Sequence, residues 1–291
     1  MNDKKLYSPR VMKDILDSYG FKFSKSLGQN FLIDGNIINK IVDTAEIDEN
    51  SGVIEIGPGF GTLTQFLCKR AKKVIAIEID RSLIDVHKDT IPYDNIKIIY
   101  EDFMKINVNK LIDEEFEGMD VKIVANLPYY ITTPIIMKIL EDRYKISKIV
   151  VMVQKEVAQR LNAKPDTKEY SSISLAVQYR ADIKIAMIVP STVFMPRPKV
   201  DSAVIELDIL EKPRIKVLDE KILFSVIRGS FGQRRKTILN SLSSNLNYPK
   251  DIVKTVLENA NINPGIRGEA LSLEEFGRIS DEMTNQIQHI N

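Results

Sequence analysis

Four residues at the end of one apolar strand could do chemistry. Residues 121–129, VKIVANLPY, predict a buried strand that runs into Asn126, Leu127, Pro128 and Tyr129. A side-chain amide and a backbone carbonyl can accept hydrogen bonds from an amine, and proline fixes a turn that points both the same way. A tyrosine ring offers a flat face for stacking. These residues predict a site that grips a flat base and its amino group, although an Asx-type turn with a packed tyrosine has the same pattern.

A glycine-rich turn follows an earlier strand of β-branched residues. Residues 57–61, GPGFG, come directly after the apolar run GVIEI. Glycine lets a backbone approach a ligand where a Cβ would collide, and the next helix N-terminus offers free N–H groups. The dinucleotide fingerprint has glycines at relative positions one, three and six, whereas here they stand at one, three and five. This spacing argues against a NAD-dependent dehydrogenase. With Glu55 two residues upstream, it resembles the E-x-G-x-G-x-G motif of class I S-adenosylmethionine-dependent methyltransferases.

Two more predicted strands end in carboxylates. Glu78 stands near the end of residues 73–80, KVIAIEID, and Asp102 ends residues 95–102, NIKIIYED. One carboxylate can accept hydrogen bonds from both hydroxyl groups of a ribose, and another can accept a hydrogen bond from an adenine amino group. Ligands bind outside the carboxyl ends of such strands. We therefore expect Glu78, Asp102 and Asn126 to lie along one edge of a sheet, beside the glycine-rich turn.

The turn at residues 126–129 suits methyl transfer to an exocyclic amine. It resembles the [DNS]-[IP]-P-[YF] motif of enzymes that methylate amino groups of nucleic-acid bases. The N6 amine of adenine is a poor nucleophile because its lone pair is delocalised into the ring, whereas a sulfonium is an excellent electrophile. The amine needs acceptors that hold its N–H groups and turn the lone pair toward the methyl. We expect the Asn126 side-chain carbonyl and the Leu127 backbone carbonyl to be these acceptors, so that orientation supplies much of the catalysis.

Predicted strands and helices alternate at short intervals up to about residue 160. The strands cover residues 52–56, 73–80, 95–102, 121–129 and 148–154, and the helices cover 9–20, 36–47, 81–90, 133–142 and 155–161. This alternation is typical of a doubly wound α/β sheet with a mostly parallel core. Three later strand-like segments, residues 171–179, 183–190 and 202–210, lack full helices between them and predict an antiparallel edge.

The pattern changes after residue 212, which predicts a second domain. Residues 218–286 read as several helices with few strand signals. We predict an α/β domain over residues 1–212 and a small all-α domain over residues 213–291, with the boundary near 211–215.

The composition is ordinary for a globular protein. Apolar residues make up 44% and charged residues 28% of the 291 residues. No apolar run reaches the roughly 18 residues of a membrane span, and residues 1–10 lack the apolar core of a signal peptide. We therefore expect a cytoplasmic protein with no membrane partner. The single Cys68 cannot form an internal disulfide bond, and with no Cys/His cluster we expect neither a metal site nor catalysis by His87 or His289.

The net charge of +1 does not decide whether the partner is a nucleic acid. Basic residues are concentrated in the N-terminal segment and in residues 233–236, QRRK. Contact with RNA phosphates is one interpretation of these clusters, and a solvated surface is the other.

The motifs together resemble those of the small-subunit (16S) ribosomal RNA adenine N6,N6-dimethyltransferases, the KsgA type. The resemblance spans nearly the whole chain and includes, in order, KSLGQNFL (25–32), IEIGPGFGTLT (54–64), NLPYYITTP (126–134), FMPRPKVDS (194–202) and FGQRRKTILNSL (231–242). It implies a Rossmann-like class I methyltransferase fold with a helical C-terminal RNA-recognition domain. It also implies that methyl groups pass from S-adenosylmethionine to N6 of two adjacent adenosines. These lie in a hairpin loop near the 3′ end of 16S rRNA, within a small ribosomal subunit or its precursor.

The resemblance also implies roles for individual residues. The cofactor would be bound by Gln29, Asn30, Leu32, Gly57, Gly59, Glu78, Ile79, Asp102, Phe103 and Asn126. The catalytic set would be Asn126, Leu127, Pro128, Tyr129 and Phe194, with the two rings on either face of a flipped adenine. Phosphates would meet Lys25, Arg197, Lys199, Arg234, Arg235 and Lys236. Without its context, Phe194 also fits core packing. We expect a monomer that has a part in subunit maturation.

Two alternatives share these motifs. The macrolide-resistance dimethyltransferases of large-subunit rRNA have the same fold, but the segments KSLGQNFL and FGQRRKTILNSL and the long C-terminal domain favour the small-subunit enzyme. A ribosome-assembly factor that binds RNA without methylating it is the second alternative. The intact glycine-rich turn and residues 126–129 argue against lost activity, and they leave an additional assembly role open.

Overall fold

The computed structural model describes residues 5–20, 29–233 and 235–290. The chain forms two compact units. One consists of residues up to 158 together with 183–209, and the other of residues 159–182 together with 210–291. Lys25 and Arg234, both predicted to meet RNA, lie outside the described residues.

A seven-stranded sheet is the centre of the first unit. The strands of the chain are β1 (Phe31–Leu32), β2 (Ser51–Ile56), β3 (Lys73–Glu78), β4 (Ile96–Tyr100), β5 (Asp120–Asn126), β6 (Lys148–Gln154), β7 (Ala181–Val189), β8 (Phe194–Met195) and β9 (Ser202–Ile209). The sheet order is β4-β3-β2-β5-β6-β9-β7, and β1 pairs separately with β8. Neighbours from β4 to β6 are parallel, whereas β9 is antiparallel to β6. The predicted parallel core and antiparallel edge are confirmed.

Helices precede, connect and follow the parallel strands, and one of them, residues 108–115, was not predicted from the sequence. They are α1 (Pro9–Ser18), α2 (Gly35–Thr44), α3 (Thr64–Cys68), α4 (Ile84–Thr90), α5 (Val108–Glu115), α6 (Thr132–Glu141) and α7 (Lys155–Leu161). Helix α2 begins where the Asp34 carboxylate accepts the Asn36 N–H at 2.8 Å. Its buried residues, Ile38, Ile41 and Val42, follow the three-and-four spacing of one helix face.

The central strands are apolar on both faces because helices cover both sides of a parallel sheet. One valine from each of four parallel strands, Val53, Val74, Val124 and Val150, packs into one cluster with Ile38 of α2. This packing fixes the positions of the strand ends where the predicted functional residues stand.

Residues 171–179, which we predicted to be a strand, form most of helix α8 (Ser172–Arg180). The prediction was wrong because alternating apolar residues suggested a strand, whereas the small residues between them, Ser174 and Ala176, are buried too. A helix buried on nearly all faces loses its 3.6-residue pattern. The helix start is stabilised by the Ser171 N–H, which donates to the Ser174 side-chain oxygen at 3.1 Å.

Helices also make up the second unit. They are α8 with α9 (Glu220–Phe231), α10 (Ile238–Leu246), α11 (Lys250–Asn259) and α12 (Leu273–Ile290). Their core gathers around the buried Phe276 and Tyr170, whose hydroxyl donates to the Leu271 carbonyl at 3.0 Å. Residues 159–182 pack in this unit, whereas we assigned them to the α/β domain over residues 1–212. None of the helices in the described part of the chain is long and apolar enough to cross a membrane.

Gly52 in β2 offers a test of the central packing. A Cβ at this position would collide with the Phe116 ring. We expect Gly52→Ala to lower the free energy of unfolding by about 1–3 kcal/mol, since overpacking forces neighbours out of place. Chemical denaturation measures the effect. Adding Phe116→Leu should recover part of the loss, and strictly additive losses in the double variant would contradict the predicted collision.

Candidate active site

A cavity lies at the carboxyl ends of β2, β3, β4 and β5. Residues that line it come from 29–32, 55–63, 77–79, 101–103 and 126–131. All ten residues predicted to bind the cofactor are among them, as are Leu127, Pro128 and Tyr129. The structure thus brings together residues from five separate segments of the chain. Their individual roles remain predictions.

The glycine-rich turn lines one side of the cavity with backbone. Gly57, Gly59 and Gly61 have φ angles of 70°, 57° and 86°, a left-handed conformation that favours glycine. The Gly57 N–H still donates to the Ile77 carbonyl at 2.9 Å, so the turn begins within the sheet ladder. A Cβ on Gly59 would run into the Phe31 ring. The turn therefore needs glycine both for its conformation and for its close packing.

Glu78 is a buried carboxylate at the end of β3. Its Oε2 accepts the Gly59 N–H at 3.1 Å and its Oε1 accepts the Asp80 N–H at 2.9 Å. Burial raises the pKa of Glu78, and the two backbone N–H groups oppose this shift. Gln29 donates from its Nε2 to Asp80 Oδ2 at 2.9 Å, which joins the segment before β1 to the same strand end.

Asp102 stands two residues beyond β4. Its Oδ1 accepts the Met104 N–H at 2.9 Å and caps a short 3₁₀ turn, which fixes the carboxylate at the cavity. The neighbouring Phe103 is buried, and its ring is nearly perpendicular to that of Tyr144. Ile79 is 50% exposed although it lines the cavity. This apolar surface between two carboxylates suits a flat base.

Asn126 is oriented by one hydrogen bond. Its Nδ2 donates to the Asn30 backbone carbonyl at 2.9 Å. This bond uses the donor end of the amide, so the carbonyl oxygen Oδ1 is the end that can accept from an amine. The Leu127 N–H donates to the Met152 carbonyl at 3.2 Å. The turn after β5 is therefore tied to β6 and to the segment before β1.

The turn continues into two tyrosines. The Pro128 carbonyl accepts from the Ile131 N–H at 3.2 Å and from the Thr132 hydroxyl at 3.1 Å. The Tyr129 hydroxyl lies 2.7 Å from Ser202 Oγ, which fixes that ring at the cavity. Tyr130 lines the cavity too and is 57% exposed. We did not include Tyr130 among the predicted site residues, although its position after NLPY could have indicated it.

Phe194 does not lie at the cavity with Tyr129. It is 3% exposed and packs in the apolar cluster with Leu32, Val189 and Val204. The reason is its strand: β8 pairs with β1, opposite Leu32, and this pairing directs the ring into the core. This burial fits core packing, the other interpretation of Phe194, and its stacking on a flipped adenine stays a prediction.

The predicted RNA-binding residues are spread over both units. Arg197 and Lys199 are exposed in the segment between β8 and β9, and the Arg197 Nε donates to Ser191 Oγ at 3.2 Å. Arg235 and Lys236 are exposed in the helical unit. Within the described ranges, no group of three or more His, Cys, Asp and Glu residues could hold a metal ion.

Glu55 is a further buried acid at the base of the cavity. It is 1% exposed and lines the cavity together with Thr62. Within the described residues, Glu55 Oε2, Thr62 Oγ1 and Thr64 Oγ1 have no hydrogen-bond partner of good geometry, although the Thr64 side chain is close enough to Glu55 to lower the pKa of its carboxyl. Buried polar atoms are rarely left unpaired. A carboxyl oxygen without a partner beneath a glycine-rich turn suits a ligand that brings a hydrogen-bond donor, such as an ammonium group.

Comparisons with known proteins agree on one family. A family model described as ribosomal RNA adenine dimethylase matches residues 20–285. A relative from Bacillus cytotoxicus, called ribosomal RNA small subunit methyltransferase A, is 53% identical over 285 residues, which cover 96% of this chain and 98% of the relative. A relative of the same name from a Geobacillus species is 53% identical over 293 residues and covers 99% of both chains.

Solved structures share the fold. A dimethyladenosine transferase from Plasmodium falciparum superposes with a TM-score of 0.73 at 29% identity, covering 88% of this chain and 98% of that one. The 23S rRNA methyltransferase ErmE superposes with a TM-score of 0.65 at 26% identity, covering 87% of this chain and 99% of that one.

The stability of the ligand-free protein should report the ionisation of Glu55. Burial raises the pKa of Glu55 from 4.5 to about 8. Between these values the folded chain holds a proton that the unfolded chain has lost, so stability falls as the pH rises through this window. Glu55→Gln removes this loss. We expect the variant to gain about 3 kcal/mol in unfolding free energy relative to the natural chain between about pH 5 and pH 8.

Urea denaturation at several pH values measures this difference. Glu117→Gln, which changes an exposed acid, is the matched control and should show no such trend. A difference between Glu55→Gln and the natural chain that stays constant with pH would contradict the prediction.

Proposed function

The chain belongs to the ribosomal RNA adenine dimethylase family, and we propose that it methylates N6 of two adjacent adenosines in a hairpin loop near the 3′ end of 16S rRNA. Its general activity is that of an S-adenosylmethionine-dependent adenine dimethyltransferase acting on small-subunit ribosomal RNA. We propose further that the substrate is a small ribosomal subunit or its precursor, and that the enzyme is a cytoplasmic monomer with a part in subunit maturation.

The cofactor is S-adenosylmethionine, and we propose that it binds in the cavity. Three strand ends offer what the molecule requires. Glu78 suits the ribose hydroxyls, Asp102 with Ile79 and Phe103 suits the adenine, and the glycine-rich turn leaves room for the methionine part. Beneath the turn, the unpaired Glu55 Oε2 suits the ammonium group. When bound, the cofactor supplies an electrophilic methyl group.

The orientation of Asn126 is the observation that carries the mechanism. Because its Nδ2 donates to the Asn30 carbonyl, its Oδ1 can accept an N–H of the target amine. The Leu127 carbonyl can accept the other N–H. With both N–H groups held, the amine lone pair turns toward the methyl group. The residues thereby provide orientation, which can contribute several kcal/mol to lowering a barrier.

Tyr129 and the basic residues account for the RNA side of the reaction. The Tyr129 ring, held through Ser202, offers a stacking face beside Asn126 for a flipped adenine. Unpaired loop bases cost little to flip. Arg197, Lys199, Arg235 and Lys236 are exposed cations that can meet phosphates. Lys25 and Arg234 are proposed for the same role from the sequence alone.

Label transfer tests the proposed target. The protein is incubated with methyl-labelled S-adenosylmethionine and with small ribosomal subunits that lack the modification, with large subunits as a parallel control. Digestion and mass analysis then locate the label. We expect N6,N6-dimethyladenosine at two adjacent positions near the 3′ end of 16S rRNA. Label confined to large-subunit RNA would contradict the proposal and favour the resistance-type reaction.

Replacing Asn126 tests the mechanism. We expect Asn126→Ala to lower kcat by about 100-fold, the size typical for loss of one oriented group at a reacting centre. Asn126→Asp keeps an acceptor and should retain more activity than Asn126→Ala. Single-turnover rates at saturating cofactor measure both, with S-adenosylhomocysteine binding as the control for the cavity. Equal rates for Asn126→Ala and the natural chain would refute the assigned role.

A further inference from the structure

His87 is a buried histidine that links the glycine-rich turn to β4. It lies on α4 and is 3% exposed. Its Nε2 is 2.6 Å from the Gly59 carbonyl oxygen, and its Nδ1 is 2.8 Å from the Tyr100 hydroxyl. The imidazole and phenol rings are stacked, with centroids 5.8 Å apart. His87 itself does not line the cavity.

These partners determine which ring nitrogen carries the hydrogen. A carbonyl oxygen can only accept, so Nε2–H donates to Gly59. Nδ1 then has a lone pair and accepts from the Tyr100 hydroxyl. Burial lowers the pKa of His87, which favours this neutral form. Both ring nitrogens are therefore used, in a pattern that no apolar side chain can supply.

Gly59 is held from three sides. Its N–H donates to Glu78 and its carbonyl accepts from His87. The side where a Cβ would stand faces the Phe31 ring. With φ at 57°, the residue has the conformational freedom of glycine and depends on these contacts for its orientation. His87 thus provides the contact that fixes the Gly59 carbonyl.

Tyr100 extends the link to the next strand end. It is the last residue of β4, it pairs with Glu78 across the sheet, and it stands two residues before Asp102. One imidazole ring therefore touches the glycine-rich turn directly and connects it to the last residue of β4, two residues before Asp102. The three strand ends proposed to hold the cofactor meet in this one network.

We propose that His87 is a positioning residue for the cofactor, which holds the glycine-rich turn and the end of β4 in the geometry that binds S-adenosylmethionine. The inference rests on the proposed location of the cofactor in the cavity. The alternative is a core histidine that stabilises the fold and has no bearing on the cofactor. The two roles predict different cofactor affinities for a variant in which only the Nε2–H donor is restored.

Three variants of α4 separate these roles. His87→Leu removes both hydrogen bonds and keeps an apolar core group. His87→Gln can still donate an N–H to the Gly59 carbonyl. Thr90→Val is the matched control, since Thr90 is buried on the same helix and its hydroxyl donates to the Val86 carbonyl within that helix. Calorimetric titration with S-adenosylhomocysteine measures affinity, and thermal unfolding measures stability.

We expect His87→Leu to raise the Kd for S-adenosylhomocysteine by about tenfold, the size of one lost hydrogen bond. His87→Gln should recover most of the affinity, and Thr90→Val should bind as the natural chain does. In steady-state methylation, the KM for S-adenosylmethionine should rise more in His87→Leu than kcat falls. Because His87→Leu also leaves the buried Gly59 carbonyl without its donor, its Tm should fall. Affinities are therefore compared at a temperature at which every variant is folded.

Two results would overturn the inference. His87→Leu could bind S-adenosylhomocysteine as tightly as the natural chain, or His87→Gln could bind as weakly as His87→Leu. A further variant, Glu78→Ala, shows whether such a result refutes only the role of His87 or also the proposed location of the cofactor. Full affinity in Glu78→Ala would mean that the cofactor lies elsewhere, which overturns both. Lost affinity in Glu78→Ala with full affinity in His87→Leu would overturn the role of His87 alone.

Discussion

Parallel strand pairing is the constraint on which the site depends. Because β4, β3, β2 and β5 all run in one direction, their carboxyl ends meet at one edge of the sheet. Residues that are far apart in sequence, Gly57, Glu78, Asp102 and Asn126, therefore line one cavity. Valines of β2, β3, β5 and β6 pack in one core cluster beneath that edge, and this packing holds the strand ends in place. The chemistry of the family needs this arrangement, since orientation of an amine and a methyl group has to come from fixed acceptors.

The same edge concentrates buried polar groups, which fold stability alone disfavours. Glu55, Glu78 and His87 are all nearly inaccessible to solvent. Both oxygens of Glu78 and both ring nitrogens of His87 have protein partners, whereas Glu55 keeps a carboxyl group with a raised pKa and an unpaired oxygen. Such groups are typical of functional sites, where a ligand supplies what the protein lacks.

The sequence was sufficient for the order of the parallel strands and for their shared edge, because apolar periodicity and glycine spacing are local signals. It missed the helix at residues 108–115. It misassigned α8, since a helix buried on nearly all faces has the alternation of a strand. It left Phe194 open between core packing and base stacking, because its burial results from pairing between β8 and β1, which are far apart in sequence. Nor could the sequence show that His87 contacts the Gly59 carbonyl, because a lone histidine in an amphipathic stretch carries no signal of its partner. Lys25 and Arg234, which we predicted to contact RNA, lie outside the described residues.

A crystal structure of the protein with S-adenosylhomocysteine tests the central claim most directly, namely that this strand edge is the cofactor site and that Asn126 faces the transferred methyl group. The account predicts ribose hydroxyls within hydrogen-bond distance of Glu78 and the adenine between Ile79 and Phe103, with its amino group at Asp102. It also predicts that the sulfur faces Asn126 while the Asn126 Nδ2 keeps its bond to Asn30. A ligand bound away from this edge, or an Asn126 amide turned to donate into the cavity, would contradict the account.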